Sequence, residues 1–119
     1  MSDCIFCKII KGEIPARKIY EDEEMFAFHD ITPMAPVHFL VIPKKHISNL
    51  MELEAEDIAL VGRLLNKAQQ IAKEPKPTGL GCGENGARFV INAKRDGGQT
   101  VDHLHIHVLG GRALSWPPG

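Results

Sequence analysis

No apolar run in this 119-residue chain approaches the roughly 20 residues of a membrane span, and Met1-Ser2-Asp3 opens no signal peptide. Charge of one sign is also missing: 14 Lys and Arg stand against 15 Asp and Glu. That balance argues against a basic face for bulk nucleic acid, so a phosphate-bearing partner has to be small and held by local donors. Cysteine is scarce, and three is an odd number that makes no disulfide framework. A reduced, soluble protein of the cytoplasm is expected. Internal repeats and linkers are absent, which leaves one domain over residues 1–119. A domain of that size holds a single core and gains from oligomerisation. Glycines 79, 81, 83 and 86 do not make a dinucleotide or P-loop cluster, because they follow a helical pattern and precede a strand, the reverse of what those motifs need.

Against these absences stands one concentration. Three of the six histidines fall in His103-Leu104-His105-Ile106-His107-Val108-Leu109. The period of two predicts a strand over 103–109, with the imidazoles on one face and Leu104, Ile106 and Val108 in a core. A lone buried histidine is usually structural, but three on one face pack poorly without water, a metal or an anion. A metal site is the serious rival to phosphate chemistry, but no carboxylate partner stands nearby in sequence, since Asp102 is expected to face away from the triad. Phosphate chemistry therefore ranks first.

The rest of the chain supplies the frame. A short helix over 4–11, capped by Ser2 or Asp3 and ended by Gly12, carries the Cys4-Ile5-Phe6-Cys7 spacing. There is no room before it for the strand of a thioredoxin-like redox motif, so Cys4 and Cys7 read as half a zinc site or as simple packing. His46 and His103 are the candidates to complete the site. Strands are expected over 17–20 and 25–29 around a charged turn, then over 37–42, with Phe26 and Phe28 sharing a core face. Lys44-Lys45 resembles a phosphate-binding run, but two lysines beside a turn are more often a solvated edge, and no site is placed there. Across 54–73 the apolar positions Ile58, Val61, Leu65, Ala68 and Ala72 recur at spacings of three and four, with Arg63, Asn66, Lys67 and Gln70 opposite. That pattern predicts an amphipathic helix covering a sheet. A further strand over 88–92 returns through Gly97-Gly98 into the histidine run as an antiparallel pair. Asn92 is then expected beside the triad, with Gln99 and Thr100 at its entrance and the backbone N–H groups near Gly98 open to an anion. The order of elements points to an α+β fold: a five-stranded antiparallel sheet with one long helix on one face and a short N-terminal helix.

The His-x-His-x-His run, the following Leu109-Gly110-Gly111-Arg112 and the closing Trp116-Pro117-Pro118-Gly119 resemble the histidine triad nucleotide hydrolases and transferases, in particular their Hint branch of purine nucleoside phosphoramidases. The likeness covers essentially the whole chain. It implies a homodimer across which the sheet continues, and hydrolysis of a P–N bond at the α-phosphate of AMP-amine or aminoacyl-AMP-like substrates. The middle histidine, His105, is the expected nucleophile, passing through a nucleotidyl-imidazole. His107 would donate to the phosphate or leaving group and His103 would orient the triad. The resemblance makes His38 a fourth active-site histidine and Asp30 the ribose-binding carboxylate, with the purine slot around Ile31. It also makes the tail from Ser115 an element that shapes the partner's site. Some relatives carry zinc on a set like Cys4, Cys7, His46 and His103; no cofactor is expected for the chemistry itself. Thr100 stands where many such sequences have serine, which keeps the hydroxyl but stiffens χ1. His107, where transferase relatives have glutamine, favours hydrolysis. Two other readings remain open at this point: a non-catalytic nucleotide-binding adaptor, and a zinc-dependent hydrolase that a chelator would stop.

Overall fold

A computed structural model describes residues 3–119. Ser2, one of the two expected helix caps, lies outside them. Helix α1 (Ile5–Ile10) leads into five strands, β1 (Lys18–Glu21), β2 (Met25–His29), β3 (Val37–Pro43), β4 (Ala87–Val90) and β5 (Ile106–Gly110). The long helix α2 (Ile58–Lys73) lies between β3 and β4, and a single turn, α3 (Lys94–Gly97), between β4 and β5. The strands form one antiparallel sheet in the order β1-β2-β3-β5-β4. This is the expected α+β arrangement.

Alternation along the strands sorts side chains to two faces. Ala27, Phe39, Val41, Ile106 and Val108 meet α2 in the larger core. Phe26, Phe28, Leu40 and Ile42 meet Phe6 and Ile9 of α1 in a smaller one. Phe26 and Phe28 therefore share a face as expected. Leu64 of α2 is fully buried, and burying a leucine contributes about 1.5–3 kcal/mol.

Four boundaries depart from the sequence pattern. Helix α1 begins at Ile5 because Cys4 is its own cap: its sulfur accepts the Cys7 N–H at 3.4 Å. The stripe that α2 buries is Leu60, Leu64, Ala68, Ile71 and Ala72. Ile58 and Leu65, expected inside, are 64% and 39% exposed. The sequence carries two apolar stripes on this helix, and the sheet takes only one. Residues 50–52 and 55–57 form tight 3₁₀ turns before α2, so the helix begins at Ile58 and not at 54. Strand β4 ends at Val90, and β5 starts only at Ile106. The last ladder pair of β5 with β3 is Ile106 with Val41, after which Leu104 N–H donates to the Ile47 carbonyl at 2.7 Å. The first half of the histidine run is thus extended chain tied to a loop, outside the ladder. That one bond brings His103 beside His46.

Lys44 and Lys45 are taken by ion pairs. Lys44 meets Glu21 at 2.7 Å, and Lys45 meets Asp57 at 2.7 Å and Glu56 at 2.9 Å. They form a bridged edge of the sheet.

Candidate functional site

His105 and His107 open onto a cleft of about 630 Å³. Its apolar wall is made by Ile5, Phe6 and Ile9 of α1, with Phe28 and Leu40 from the sheet; Asp30, Ile31 and Thr100 stand at its edge. Ile31 is 96% exposed, an apolar side chain offered to whatever enters. The cleft has the proportions of a small-ligand site: mostly apolar, with a few convergent polar groups.

The hydrogen bonds fix which nitrogen of each ring carries the proton. His105 Nδ1 lies 2.7 Å from the His103 carbonyl oxygen, which can only accept. Nδ1 is therefore protonated and Nε2 keeps its lone pair. His38 Nδ1 accepts the Met34 N–H at 3.0 Å, so the His38 proton sits on Nε2. That Nε2 faces His107 Nδ1 at 3.0 Å and the Asp30 carboxylate at 3.4 Å. Donation to His107 Nδ1 leaves the His107 proton on Nε2. The two cleft histidines thus present opposite functions, an unprotonated nitrogen on His105 and an N–H on His107. Burial pushes the His107 imidazole down to about 4, helped by His105 and His38 and opposed by Asp30. His105 is lowered by burial, against the raising effect of its bond to His103. Both rings are neutral at neutral pH, which a nucleophile requires.

His103 faces elsewhere. Its Nε2 donates to the Pro43 carbonyl at 2.8 Å, so its Nδ1 is the free nitrogen. That Nδ1 lies 3.3 Å from Cys4 Sγ, 3.7 Å from Cys7 Sγ and 3.2 Å from His46 Nδ1. Cys7 Sγ is 3.4 Å from His46 Nδ1, and all four ligand atoms lie within 4.8 Å of one another. Zinc held at about 2.0–2.1 Å from nitrogen and 2.3 Å from sulfur in a tetrahedron requires ligand separations of roughly 3.3–3.8 Å. Three of the cluster's separations, 3.3, 3.4 and 3.7 Å, fall in that range, and the His46–His103 pair at 3.2 Å lies just under it. The cluster meets the tautomer test, since His103 gives its N–H to a backbone carbonyl and keeps the other lone pair inward. Burial, then the adjoining Cys4 thiol, pushes the Cys7 thiol up, so a cation is what would make it a thiolate. Burial likewise holds His103 to about 4.

Asp30, His38 and His107 form a second grouping of metal-ligand type. It fails the tautomer test. The Met34 N–H occupies His38 Nδ1, so Nε2 carries the proton and has no lone pair to give.

The expected site residues therefore divide. His105, His107, Thr100, Asp30 and Ile31 line one cleft, with His38 behind His107. Cys4, Cys7, His46 and His103 form the cluster next to it. The remaining three do not line the cleft. Gln99 is tied into its loop, donating to the Ser48 and Val101 carbonyls at 2.7 and 2.9 Å and accepting the Lys94 N–H at 2.8 Å. Gly98 closes α3 in the left-handed region at φ +80°. Asn92 lies two residues past Val90, the ladder partner of His107. Sequence reasoning missed Phe6, the ring that touches both histidine groups. Its place in the middle of Cys-x-x-Cys was the available signal. The tail is anchored where the Ser115 carbonyl accepts from Arg88 at 2.8 Å, and Trp116 beyond it is 80% exposed.

The HIT domain family model matches residues 11–114, and the chain belongs to the HIT family. Over 117 residues it is 55% identical to an uncharacterized HIT-like protein of Synechococcus elongatus, covering 98% of this chain and 97% of that one. Among solved structures, it is similar to a HIT family hydrolase from Legionella pneumophila at 46% identity and a TM-score of 0.89, over 98% of this chain and 100% of that one. A zinc-bound histidine triad family protein from Mycobacterium smegmatis is 35% identical with a TM-score of 0.77, over 93% of this chain and 76% of that one. The chain shares the family and the fold of these proteins, of which the Legionella relative is named a hydrolase.

Proposed function

We propose that the protein hydrolyses the P–N bond at the α-phosphate of purine nucleoside phosphoramidates, through a covalent nucleotidyl intermediate on His105. The single observation that carries this reading is the pair of opposed tautomers in the cleft. His105 Nε2 is an unprotonated nucleophile held by the His103 carbonyl, and His107 Nε2–H is a donor set by the Met34–His38 relay. In the first step His105 Nε2 attacks phosphorus, the P–N bond breaks, and the amine leaves with a proton from His107. Water, deprotonated by the same ring, then cleaves the P–N(imidazole) bond and restores both histidines. Thr100 lies at the cleft edge, where its hydroxyl serves the bridging nitrogen.

The purine occupies the apolar wall beside Ile31 and Phe6, and Asp30 takes the ribose hydroxyls. Its Oδ1 accepts the Thr32 N–H at 2.8 Å in a local turn, and that bond aims the carboxylate. Asn92, Gly98 and Gln99 do not touch the nucleotide directly; Gln99 fixes the loop that carries Thr100 to the cleft edge. Zinc on Cys4, Cys7, His46 and His103 would bind α1 to the sheet and keep the thiols ionised. Four protein ligands make a closed site of the structural kind, and His105 and His107 lie outside it. The zinc-bound mycobacterial relative supports this assignment.

We also assign the homodimer to the unburied apolar surface. The outer edge of β4 is unpaired among the described residues, Phe89 on it is 41% exposed, and α2 presents Ile58 and Leu65. An exposed edge strand beside apolar side chains needs a cover. A second copy would continue the sheet and bring Trp116 toward the partner's cleft. The free cysteines fit a reducing cytoplasm, and no helix among the described residues is long and apolar enough to cross a membrane.

The reading is tested by adenosine 5′-phosphoramidate hydrolysis in the native protein and in His105→Ala, each with and without chelator. Turnover that vanishes in the variant, in a protein that still binds AMP, is the expected result. A native protein that binds AMP and releases no ammonia would make it an adaptor.

A further inference from the structure

Helix α1 has six residues, too few to be stable by its own hydrogen bonds. It is held at two points. Phe6 and Ile9 pack into the smaller core, and Cys4 and Cys7 reach the cluster with His46 and His103. The same helix forms the apolar wall of the cleft through Ile5, Phe6 and Ile9. Phe6, between the two cysteines in sequence, stands edge-on to His103 with centroids 5.8 Å apart and to His105 at 5.2 Å. His103 makes a second link. Its ring points into the cluster while its backbone carbonyl holds the His105 Nδ1–H. Two separate paths therefore run from the four-ligand cluster to the nucleophile, one through Phe6 and one through the His103 main chain.

We propose that the metal centre is a positioning element for the nucleotide site: a cation on Cys4, Cys7, His46 and His103 sets the cleft wall and the orientation of His105, and so raises nucleotide affinity. This rests on the reading of the cleft as a nucleotide site and of the cluster as a zinc site. With the cation present, α1 is clamped to the chain around His46, and the Phe6 ring limits rotation of His105. Without it, the contacts that remain are pairwise and weak, Cys4 Sγ with His103 Nδ1 at 3.3 Å and Cys7 Sγ with His46 Nδ1 at 3.4 Å, and no single centre ties the four residues together. The looser tie frees α1 and the His103 carbonyl to shift, while the sheet and α2 remain in place.

The coupling is reciprocal: the factor by which metal tightens nucleotide binding is the factor by which nucleotide tightens metal binding. The test measures both directions. AMP binding is followed by calorimetry on zinc-loaded and chelator-stripped protein, and zinc transfer to a chromophoric chelator is followed with and without saturating AMP. Cobalt in place of zinc reports the ligand set through its visible absorption. Stripping is expected to weaken AMP binding by about 10-fold or more, AMP is expected to hold zinc by the same factor, and the far-ultraviolet circular dichroism is expected to stay constant. The ¹⁵N-imidazole signal of the His105 Nδ1–H is expected to broaden or shift on stripping and to return when zinc is restored.

Equal AMP affinity in the two states, a cobalt form without a tetrahedral sulfur–nitrogen spectrum, or a stripped protein that unfolds altogether would each overturn the proposal. In the last case the metal holds the fold and not the cleft. A protein that binds no AMP in either state defeats the nucleotide reading. The His105 signal then decides the positioning role alone: unchanged on stripping, it refutes that role; altered, it supports it.

Discussion

His103 and His105 are two residues apart, both nearly inaccessible to solvent at 0% and 3%, and both in edge contact with Phe6. Their chemistry differs because different nitrogens are occupied. Pro43 takes the Nε2–H of His103 and leaves Nδ1 for the cysteine cluster. The His103 carbonyl takes the Nδ1–H of His105 and leaves Nε2 for the cleft. Residue type and burial are the same in the two cases; the acceptor behind the ring decides what its front can do. The comparison extends to the two candidate metal groups. One keeps its lone pairs inward, and the other has lost one to the Met34 amide.

The sharpest way to break this comparison is to remove one ring at a time. His105→Ala should lower kcat/KM by about 10⁴-fold or more, while leaving AMP affinity and metal content within a factor of a few, measured by steady-state kinetics, calorimetry and metal analysis. His103→Ala should damage both regions at once, with loss of metal, a lower Tm and a fall in turnover, because the ring it removes ties the cluster to the stretch of main chain whose carbonyl orients His105. A variant that loses only one of the two would separate the regions more than their shared residue permits. His38→Ala comes next. It removes the relay that sets the His107 tautomer, and should cut kcat by about 10²-fold with little change in AMP affinity.

Smaller effects sharpen the electrostatic side. His107 at about 4 and His29, also lowered by burial, are neutral in the fold at pH values where the unfolded chain, near its ordinary 6.5, binds protons. Both contributions are complete above pH 6.5; that of His107 is lost as the pH falls toward 4, and that of His29 declines in the same direction. Urea midpoints should therefore decline across that window; a flat profile would show these rings protonated in the folded state. Arg63→Gln removes an exposed pair with Glu24 that lines neither the cleft nor the cluster, and should leave Tm within about a degree. A larger shift would mean that this pair anchors α2 to the sheet.

Much of this was legible in the chain. The alternation in 103–109 placed Leu104, Ile106 and Val108 in the core, and all three are there. The Cys4–Cys7 spacing with His46 and His103 was readable as a set, and the structure brings the set together. What was not legible depended on long-range partners. The α2 pattern holds two apolar stripes, and only the docked sheet tells Leu60 and Leu64 from Ile58 and Leu65. The start of β5 depends on where its chain leaves β3 for the Ile47 carbonyl, and the expected end of β4 overshot the observed one by two residues because its ladder with β5 stops at Val90. Cys4 as a cap was hidden because sulfur is not the usual acceptor at that position. A nucleophilic His105 has to donate from its other nitrogen to a carbonyl or ring, which the sequence allowed one to expect. The partners of His103 and His107 could not be read, since they are set by the fold: Pro43 lies 60 positions from His103.

The most direct test of the opposed tautomers is to trap the intermediate. Native protein and His107→Ala are quenched within the first turnover of adenosine 5′-phosphoramidate and digested, and the adduct is located by mass spectrometry. A nucleotidyl group on His105, formed fast in the native protein and slowly where His107 cannot supply the leaving-group proton, is the predicted result. A nucleotidyl group on His107 or His103, or turnover that proceeds unchanged in His105→Ala, would contradict it.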